Sequence, residues 1–98
     1  MMYTINNQIK NENFSGLKIQ VLRKTDAVEV LSISLEKGTI FPEHSSPREA
    51  QLLVLEGNID FHINKSTFQL SEQQHFNFPK EEKHWVEANE NSKFLIIR

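Results

Sequence analysis

The side chains of this sequence best suited to chemistry are its four histidines, His44, His62, His75 and His84. A neutral imidazole binds divalent metals through a ring nitrogen, and it exchanges protons near neutral pH. The chain has no cysteine, which excludes disulfides, thiolate metal sites and cysteine nucleophiles. Its three glycines lie far apart, so a glycine-rich phosphate loop and a Gly-x-Ser-x-Gly elbow are absent. Imidazole chemistry is therefore what the residue types favour.

Paired carboxylates for acid-base catalysis have less support. The candidates are Glu43, Glu49 and Glu56, and their spacing does not place two of them on one inward face of a strand. The mixed charges of residues 80–83 are typical of a solvated turn. We therefore give the carboxylates no catalytic role.

Alternation of apolar and polar residues predicts that strands position the histidines. Turn-forming residues separate the apolar runs about every 8–12 residues, a spacing typical of a β-sandwich or barrel. No segment has the apolar spacing and capping residue of an amphipathic helix. The sequence predicts strands near residues 3–9, 17–23, 27–36, 40–43, 50–56, 58–64, 67–70, 74–78, 84–88 and 93–98.

Length and charge limit the class of protein. With 98 residues, 38% of them hydrophobic, the chain is long enough for one domain, residues 1–98, and too short for two. A net charge of -2 without a basic run disfavours binding to nucleic acid. The apolar runs fall far below the about 20 residues that span a bilayer, and no secretory signal is visible. We therefore expect a cytoplasmic protein without a membrane partner.

The segment from Gly38 to Gly57 has a distinctive spacing. Five residues separate Gly38 from His44, and the segment closes on residues 54–57, Val-Leu-Glu-Gly. This spacing resembles the first motif of the cupin family, in which a glycine is followed by His-x-His, then a glutamate and a closing glycine. The resemblance implies an all-β fold, a double-stranded β-helix of the jelly-roll type found in RmlC-like cupins.

A second segment, residues 79–84, resembles the other cupin motif, Pro-x-Gly-x-x-His, with Asn89 near its trailing asparagine. The glycine of that motif is replaced by Glu81, which predicts a differently shaped turn before His84. Together with the strand pattern, the resemblance covers nearly the whole chain. It implies that His44 and His84 face each other inside the barrel.

The resemblance also implies a site in which half of the metal ligands are missing. Family metal sites use three histidines and one glutamate, and these positions correspond here to His44, Ser46, Ala50 and His84. Glu49 is offset by one residue, which turns its side chain to the opposite face of the strand. Only His44 and His84 remain as ligands. The implied cofactor is at most a weakly bound divalent metal, because protein metal sites usually have three or more protein ligands.

A third ligand from His62 or His75 is a further alternative. His62 alternates with Phe61 and Ile63, and His75 precedes Phe76. If those apolar neighbours face the core, both histidines face outward, and we favour that interpretation. His44 and His84 also have a purely structural interpretation. As interior imidazoles without a ligand, they would need hydrogen bonds to Ser46 or to the backbone.

The aromatic residues are expected in the core rather than in a ligand cage, because aromatic side chains bury large areas in small domains. They are Trp85 and the phenylalanines Phe41, Phe61, Phe68, Phe76, Phe78 and Phe94. An interior that has lost Glu and His at positions 50 and 46 is roomier and less charged. Small-molecule pockets have that apolar character.

Three functions stay open. We favour a small-molecule-binding cupin with His44, Ser46, Ala50 and His84 around the ligand. The alternatives are a metal-dependent oxygenase or isomerase that uses the two histidines, and a regulatory module whose pocket is vestigial. The fold hosts many activities and does not choose among them.

The outward face of the strand at residues 50–56 predicts a homodimer. If Ala50, Leu52 and Val54 look into the barrel, Leu53 and Leu55 form an apolar pair on the other face. An exposed apolar pair of this kind is usually buried against another part of the chain or another subunit. A second subunit is the expected cover, and an N-terminal strand of the same chain is the alternative.

Overall fold

The computed structural model describes residues 2–98, which form two antiparallel sheets around one core. One sheet has the strand order β1-β2-β9-β4-β7 and the other β3-β8-β5-β6. The elements are α1 Gln8–Asn11, β1 Leu17–Lys24, β2 Glu29–Leu35, β3 Ile40–His44, β4 Ala50–Glu56, β5 Asn58–Ile63, β6 Ser66–Ser71, β7 His75–Phe78, β8 His84–Ala88 and β9 Ser92–Ile97. The predicted all-β fold is confirmed, with nine strands in two antiparallel sheets among the described residues.

Alternation along the strands builds the core, most regularly on β4, β5 and β8. On β4, Ala50, Leu52 and Val54 are buried. On β5, Ile59, Phe61 and Ile63 are buried while the residues between them are half-buried. Because side chains of a strand point to opposite faces in turn, each strand gives one face to the core. The parity of a residue within its strand therefore decides whether it lies inside the barrel.

The predicted strand at residues 3–9 is wrong. Residues 2–7 have no regular structure, and the short helix α1 follows them. The side-chain amide oxygen of Asn6 accepts the backbone N–H of Gln8 at 2.8 Å, which starts a local turn instead of an extended strand. The apolar side chains Met2, Tyr3 and Ile5 stay exposed. The segment has alternating residues, but no neighbouring strand pairs with it, and alternation alone does not form a strand.

The N-terminal segment nevertheless covers part of the outer face of the first sheet. The Lys93 ammonium donates to the carbonyl of Ile9 at 2.7 Å and lies 5.0 Å from the centre of the Phe14 ring. Ser34 Oγ donates to the carbonyl of Asn13 at 3.3 Å. These contacts explain why Ser34 and Lys93 are buried although they point away from the core.

The apolar pair Leu53 and Leu55 lies on this outer face. Leu53 is half-buried beside Leu95, its direct neighbour on β9, and Leu55 remains 39% exposed. No strand of the N-terminal segment covers the pair, because residues 2–16 contain none. Homodimerisation through Leu53 and Leu55 stays a prediction.

Gly57, which closes the first motif, is required by a close approach. It lies between β4 and β5 with φ +92°, in the left-handed region that glycine adopts without strain. A Cβ atom at this position would collide with the carbonyl oxygen of Asn91 and with Ser92. Any larger residue would displace the turn that starts β9.

The single helix found in residues 2–98 has four residues, and none of the described helices is long and apolar enough to cross a membrane.

Candidate functional site

His44 and His84 meet at the end of β3 and the start of β8. They are direct partners in the antiparallel pairing of these strands. The Nε2 atom of His44 lies 3.1 Å from the Nε2 atom of His84. Two residues that are 40 apart in sequence are thus brought into side-chain contact, as the resemblance to the cupin motifs implied.

Backbone carbonyls determine which ring nitrogens carry protons. His44 Nδ1 donates to the carbonyl of Pro42 at 2.6 Å, and His84 Nδ1 donates to the carbonyl of Glu82 at 3.0 Å. A carbonyl only accepts, so each Nδ1 holds the hydrogen of a neutral ring. Both Nε2 atoms therefore present lone pairs to the same point. At 3.1 Å the two nitrogens have no room for a ligand atom between them, so a hydrogen-bond donor or a cation would approach both lone pairs from the side of the cavity, where a hydrogen-bond acceptor does not fit.

Aromatic rings hold both imidazoles in place. His84 is only 3% exposed, and its ring stacks on Phe61 with centroids 5.2 Å apart. The Phe78 ring meets His84 edge-on at 4.7 Å, and the Phe41 ring stacks on His44 at 4.3 Å. Both imidazoles are therefore packed against aromatic rings.

Burial lowers the pKa of His84 below its usual range. The Glu82 carbonyl opposes this shift, because it favours the protonated ring, and the neighbouring His44 ring and the Arg98 guanidinium add to the lowering. A histidine of ordinary pKa is already mostly neutral at pH 7. The lowered pKa makes the neutral, accepting form of His84 the dominant one.

The pair lines a cavity of about 390 Å³ between the two sheets, which opens to solvent beside β1, where Ile19 and Val21 are about half exposed. Most of its wall is apolar and comes from both sheets, namely Ile19, Val21, Leu31, Ile33, Phe41, Phe78 and Ile96. The polar groups are the two histidines, Ser45, Ser46 and a pair at the rim, Glu29 and Arg98. A largely apolar cavity with a few polar points is typical of a small-molecule site.

Sequence reasoning missed the rim pair Glu29 and Arg98. These residues lie at the ends of β2 and β9 and exchange backbone hydrogen bonds of 2.6 and 2.9 Å. Arg98 Nε donates to Glu29 Oε1 at 2.8 Å, and this hydrogen bond holds the pKa of Glu29 below its usual range. No local signal marks the pair, because only the pairing of distant strands brings it to the cavity.

Ser46 and Ala50, the positions of the missing ligands, are separated by the structure. Ser46 is buried and lines the cavity, and its hydroxyl donates to the Arg48 carbonyl at 2.7 Å within the loop. Ala50 is also buried, but it borders a different groove of about 500 Å³ together with Phe78 and Pro79. Of the four predicted ligand-binding residues, the structure brings His44, Ser46 and His84 around one cavity.

The offset glutamate and the replaced glycine of the two motifs have clear positions. Glu49 is exposed, lines the outer groove and does not reach the histidine pair. Glu81 has φ +66°, so the turn keeps a left-handed residue although a glutamate stands there. Its backbone N–H donates to the Ser46 carbonyl at 2.7 Å. A turn shaped differently from that of the family motif stays a prediction.

His62 and His75 lie on the outer faces of the sheets. His75 is exposed and accepts a hydrogen bond from the Gln51 amide at 3.2 Å. His62 stacks on Trp85, with ring centroids 3.6 Å apart. Neither histidine lines the interior cavity.

Two aromatic residues that were expected in the core lie outside it. Trp85 is half-buried on the outer face, because its neighbours His84 and Val86 point inward. Phe68 is 41% exposed at the edge strand β6. The remaining phenylalanines of the predicted set are buried or pack against the core, namely Phe41, Phe61, Phe76, Phe78 and Phe94.

The donors around the cavity do not form a complete metal site. His44 and His84 offer two Nε2 lone pairs. The Ser46 hydroxyl is engaged with Arg48, and Ala50 has no donor atom. Stable protein sites for divalent metals usually have three or more protein ligands. The two imidazoles fit weak coordination and do not fit a tightly held resident metal.

Comparison with known proteins agrees with this architecture. The sequence model of the cupin domain family matches residues 31–97. A search of curated proteins found no match. Solved structures of similar fold include a conserved protein of unknown function from Streptococcus pyogenes, with a TM-score of 0.84 and 21% identity, covering 99% of this chain and 87% of that one.

Two further solved structures share this fold. An RmlC-like cupin protein from Desulfovibrio desulfuricans has a TM-score of 0.85 and 19% identity, covering 98% of this chain and 95% of that one. The DMSP lyase DddQ from Ruegeria pomeroyi has a TM-score of 0.77 and 17% identity, covering 84% of this chain and 46% of that one. At these identities the likeness concerns the fold alone.

Proposed function

The chain belongs to the cupin family, and from this premise we propose that it binds a small molecule in the barrel interior, anchored by His44 and His84. The observation that carries the proposal is the meeting of two Nε2 lone pairs, 3.1 Å apart, in an otherwise apolar cavity. Lone pairs that converge without a donor between them leave a place for a polar group of the ligand.

The chemistry of the cavity limits the ligand class. The histidine pair accepts hydrogen bonds, so the ligand presents a hydroxyl or amine hydrogen toward it. The remaining wall is apolar, and the charges of Glu29 and Arg98 at the rim neutralise each other. A small, mostly apolar molecule with one or two donor groups meets these conditions.

A metal-dependent enzyme is the second candidate, because converging imidazoles are also the beginning of a metal site. His44 and His84 would hold a divalent metal, which would supply Lewis-acid chemistry to a substrate in the cavity. With two protein ligands, that metal is held weakly. The third candidate, an interaction module with a vestigial pocket, predicts no ligand at all.

Metal analysis and ligand screening together separate these candidates. We expect protein purified without added metal to hold far less than one equivalent of metal at the histidine pair, measured as the difference in metal content between wild type and His84→Phe. We expect donor-bearing small molecules to raise its melting temperature, and His84→Phe to abolish that rise. His75→Asn is the matched control, because it removes an outer histidine and should leave ligand binding unchanged.

Each contrary result selects a different candidate. Stoichiometric metal that resists a mild chelator and is lost in His84→Phe would overturn the proposal in favour of the enzyme. Ligand-induced stabilisation that persists in His84→Phe would show that binding occurs elsewhere. The absence of any stabilising molecule in a broad screen would favour the interaction module.

A further inference from the structure

A second group of ligating side chains lies on the outer face of the sheet that contains the histidine pair. Asp60 and His62 are on β5, and Glu87 is on β8. One donor atom from each of the three residues lies within 4.8 Å of the others. Alternation turns these side chains away from the barrel, because Ile59, Phe61 and Ile63 occupy the inward positions. The group is therefore separate from the cavity.

The two carboxylates of this group are direct neighbours without a balancing charge. Asp60 and Glu87 are opposite each other in the pairing of β5 and β8. Within residues 2–98, the ion pairs involve only Glu12 and Glu29 as acids. Like charges directly opposite on neighbouring strands destabilise a sheet. Asp60 accepts one neutral donor, the Asn89 amide at 2.9 Å, which leaves the repulsion in place.

His62 supplies an independent observation. Its Nδ1 lies 2.9 Å from Thr67 Oγ1, and the Trp85 indole covers one face of its ring at an interplanar angle of 8°. Its Nε2 atom is buried and has no hydrogen-bond partner. A buried nitrogen without a partner is rare in folded proteins. With Nδ1 engaged by Thr67, Nε2 is the atom left free to bind a ligand.

We propose that Asp60, His62 and Glu87 form a surface site for a divalent transition metal. A cation between the carboxylates removes their repulsion and gives the orphaned His62 Nε2 a partner. One imidazole and two carboxylate oxygens suit Zn²⁺ or a similar first-row ion better than Ca²⁺ or Mg²⁺, which prefer oxygen ligands alone. The site has three protein ligands, one more than the pair in the barrel.

The tryptophan next to the site makes it easy to observe. Trp85 is the single tryptophan of the chain and stacks on His62. We expect titration of the full chain with Zn²⁺ to change its tryptophan fluorescence. The Zn²⁺ affinity from this titration should agree with the affinity measured by calorimetry. His62→Gln and Glu87→Gln should each weaken this binding by about tenfold or more. Glu56→Gln, the same chemical change in the other sheet, should leave it unchanged.

The difference in melting temperature between Glu87→Gln and the wild type should change sign when Zn²⁺ is added. Without metal, Glu87→Gln should melt at a higher temperature than the wild type, because it removes the repulsion with Asp60. With Zn²⁺, the wild type should gain stability and the variant should not. The site does not exist if Zn²⁺ leaves the fluorescence unchanged up to about 1 mM. It also does not exist if the change persists in His62→Gln but disappears in His44→Asn, which would place the ion in the barrel.

Discussion

Strands β5 and β8 have different chemistry on their two faces. Inward, His84 lies between Phe61 and Phe78 in neutral, apolar surroundings. Outward, Asp60, His62 and Glu87 place an imidazole beside two carboxylates. The inner imidazoles have their Nδ1 atoms fixed by backbone carbonyls, whereas His62 is fixed by the Thr67 side chain. A shift of one residue along a strand thus separates a neutral, apolar cavity from a charged cluster of metal-ligating side chains.

The largest expected effect is on the free energy of unfolding, when one ring is removed from each face in turn. Phe61 is 1% exposed and contacts Phe76, Phe78 and His84, so Phe61→Ala should lower the free energy of unfolding by about 3–5 kcal/mol. His62→Ala, one residue away on the outer face, should cost about 1 kcal/mol or less. Urea unfolding of both variants measures the difference. Similar losses would show that the outer face is also packed as a core.

The difference between the faces was partly predictable from the sequence. Alternation is a local signal, so it located nine strands, including those that carry His44 and His84. The same alternation already implied that Trp85 points outward if His84 points inward. It failed at residues 3–9, because alternation does not show whether a neighbouring strand is available for pairing.

The long-range pairs were beyond local patterns. The contact of His44 with His84 was expected only from the resemblance to the cupin motifs. The opposition of Asp60 to Glu87 depends on the register between β5 and β8, and the rim pair of Glu29 and Arg98 depends on the neighbouring ends of β2 and β9. Register is set by turns and packing together, so no single segment reveals it.

A third imidazole added to the inner face should produce the next largest effect. Ser46 is buried and lines the cavity with the histidine pair, so Ser46→His should tighten Zn²⁺ or Ni²⁺ binding in the barrel by about 100-fold, or 2.7 kcal/mol. Glu49→His is the matched control, because residue 49 is exposed in the outer groove and does not line the cavity. Isothermal titration of both variants in a Glu87→Gln background measures the inner site alone. Equal affinities would mean that position 46 does not face the pair.

The pH dependence of stability should distinguish the inner histidine from the outer ones. The pKa of His84 is lowered by burial, so between its folded value and its unfolded value of about 6.5 the unfolded chain binds more protons. Stability is then fully present above pH 6.5 and falls as the pH drops toward the folded pKa. In chelator-treated protein, His84→Asn should flatten this decline, measured by urea unfolding across pH 5–8. A decline that is unchanged in His84→Asn would assign it to other groups.

The smallest effect concerns the turn that leads into β8 and orients His84 inward and Trp85 outward. Glu81 has φ +66°, a conformation that costs an L-residue roughly 1–2 kcal/mol and glycine almost nothing. Glu81→Gly should therefore raise the free energy of unfolding by about 0.5–1 kcal/mol, reduced from the full strain because glycine loses more entropy on folding. Glu82→Gly is the control, because residue 82 is not among those with positive φ, and it should destabilise the fold. If Glu81→Gly is destabilising, residue 81 does not adopt the left-handed conformation in solution. Contacts other than this turn would then determine which residues of β8 point into the barrel and which point outward.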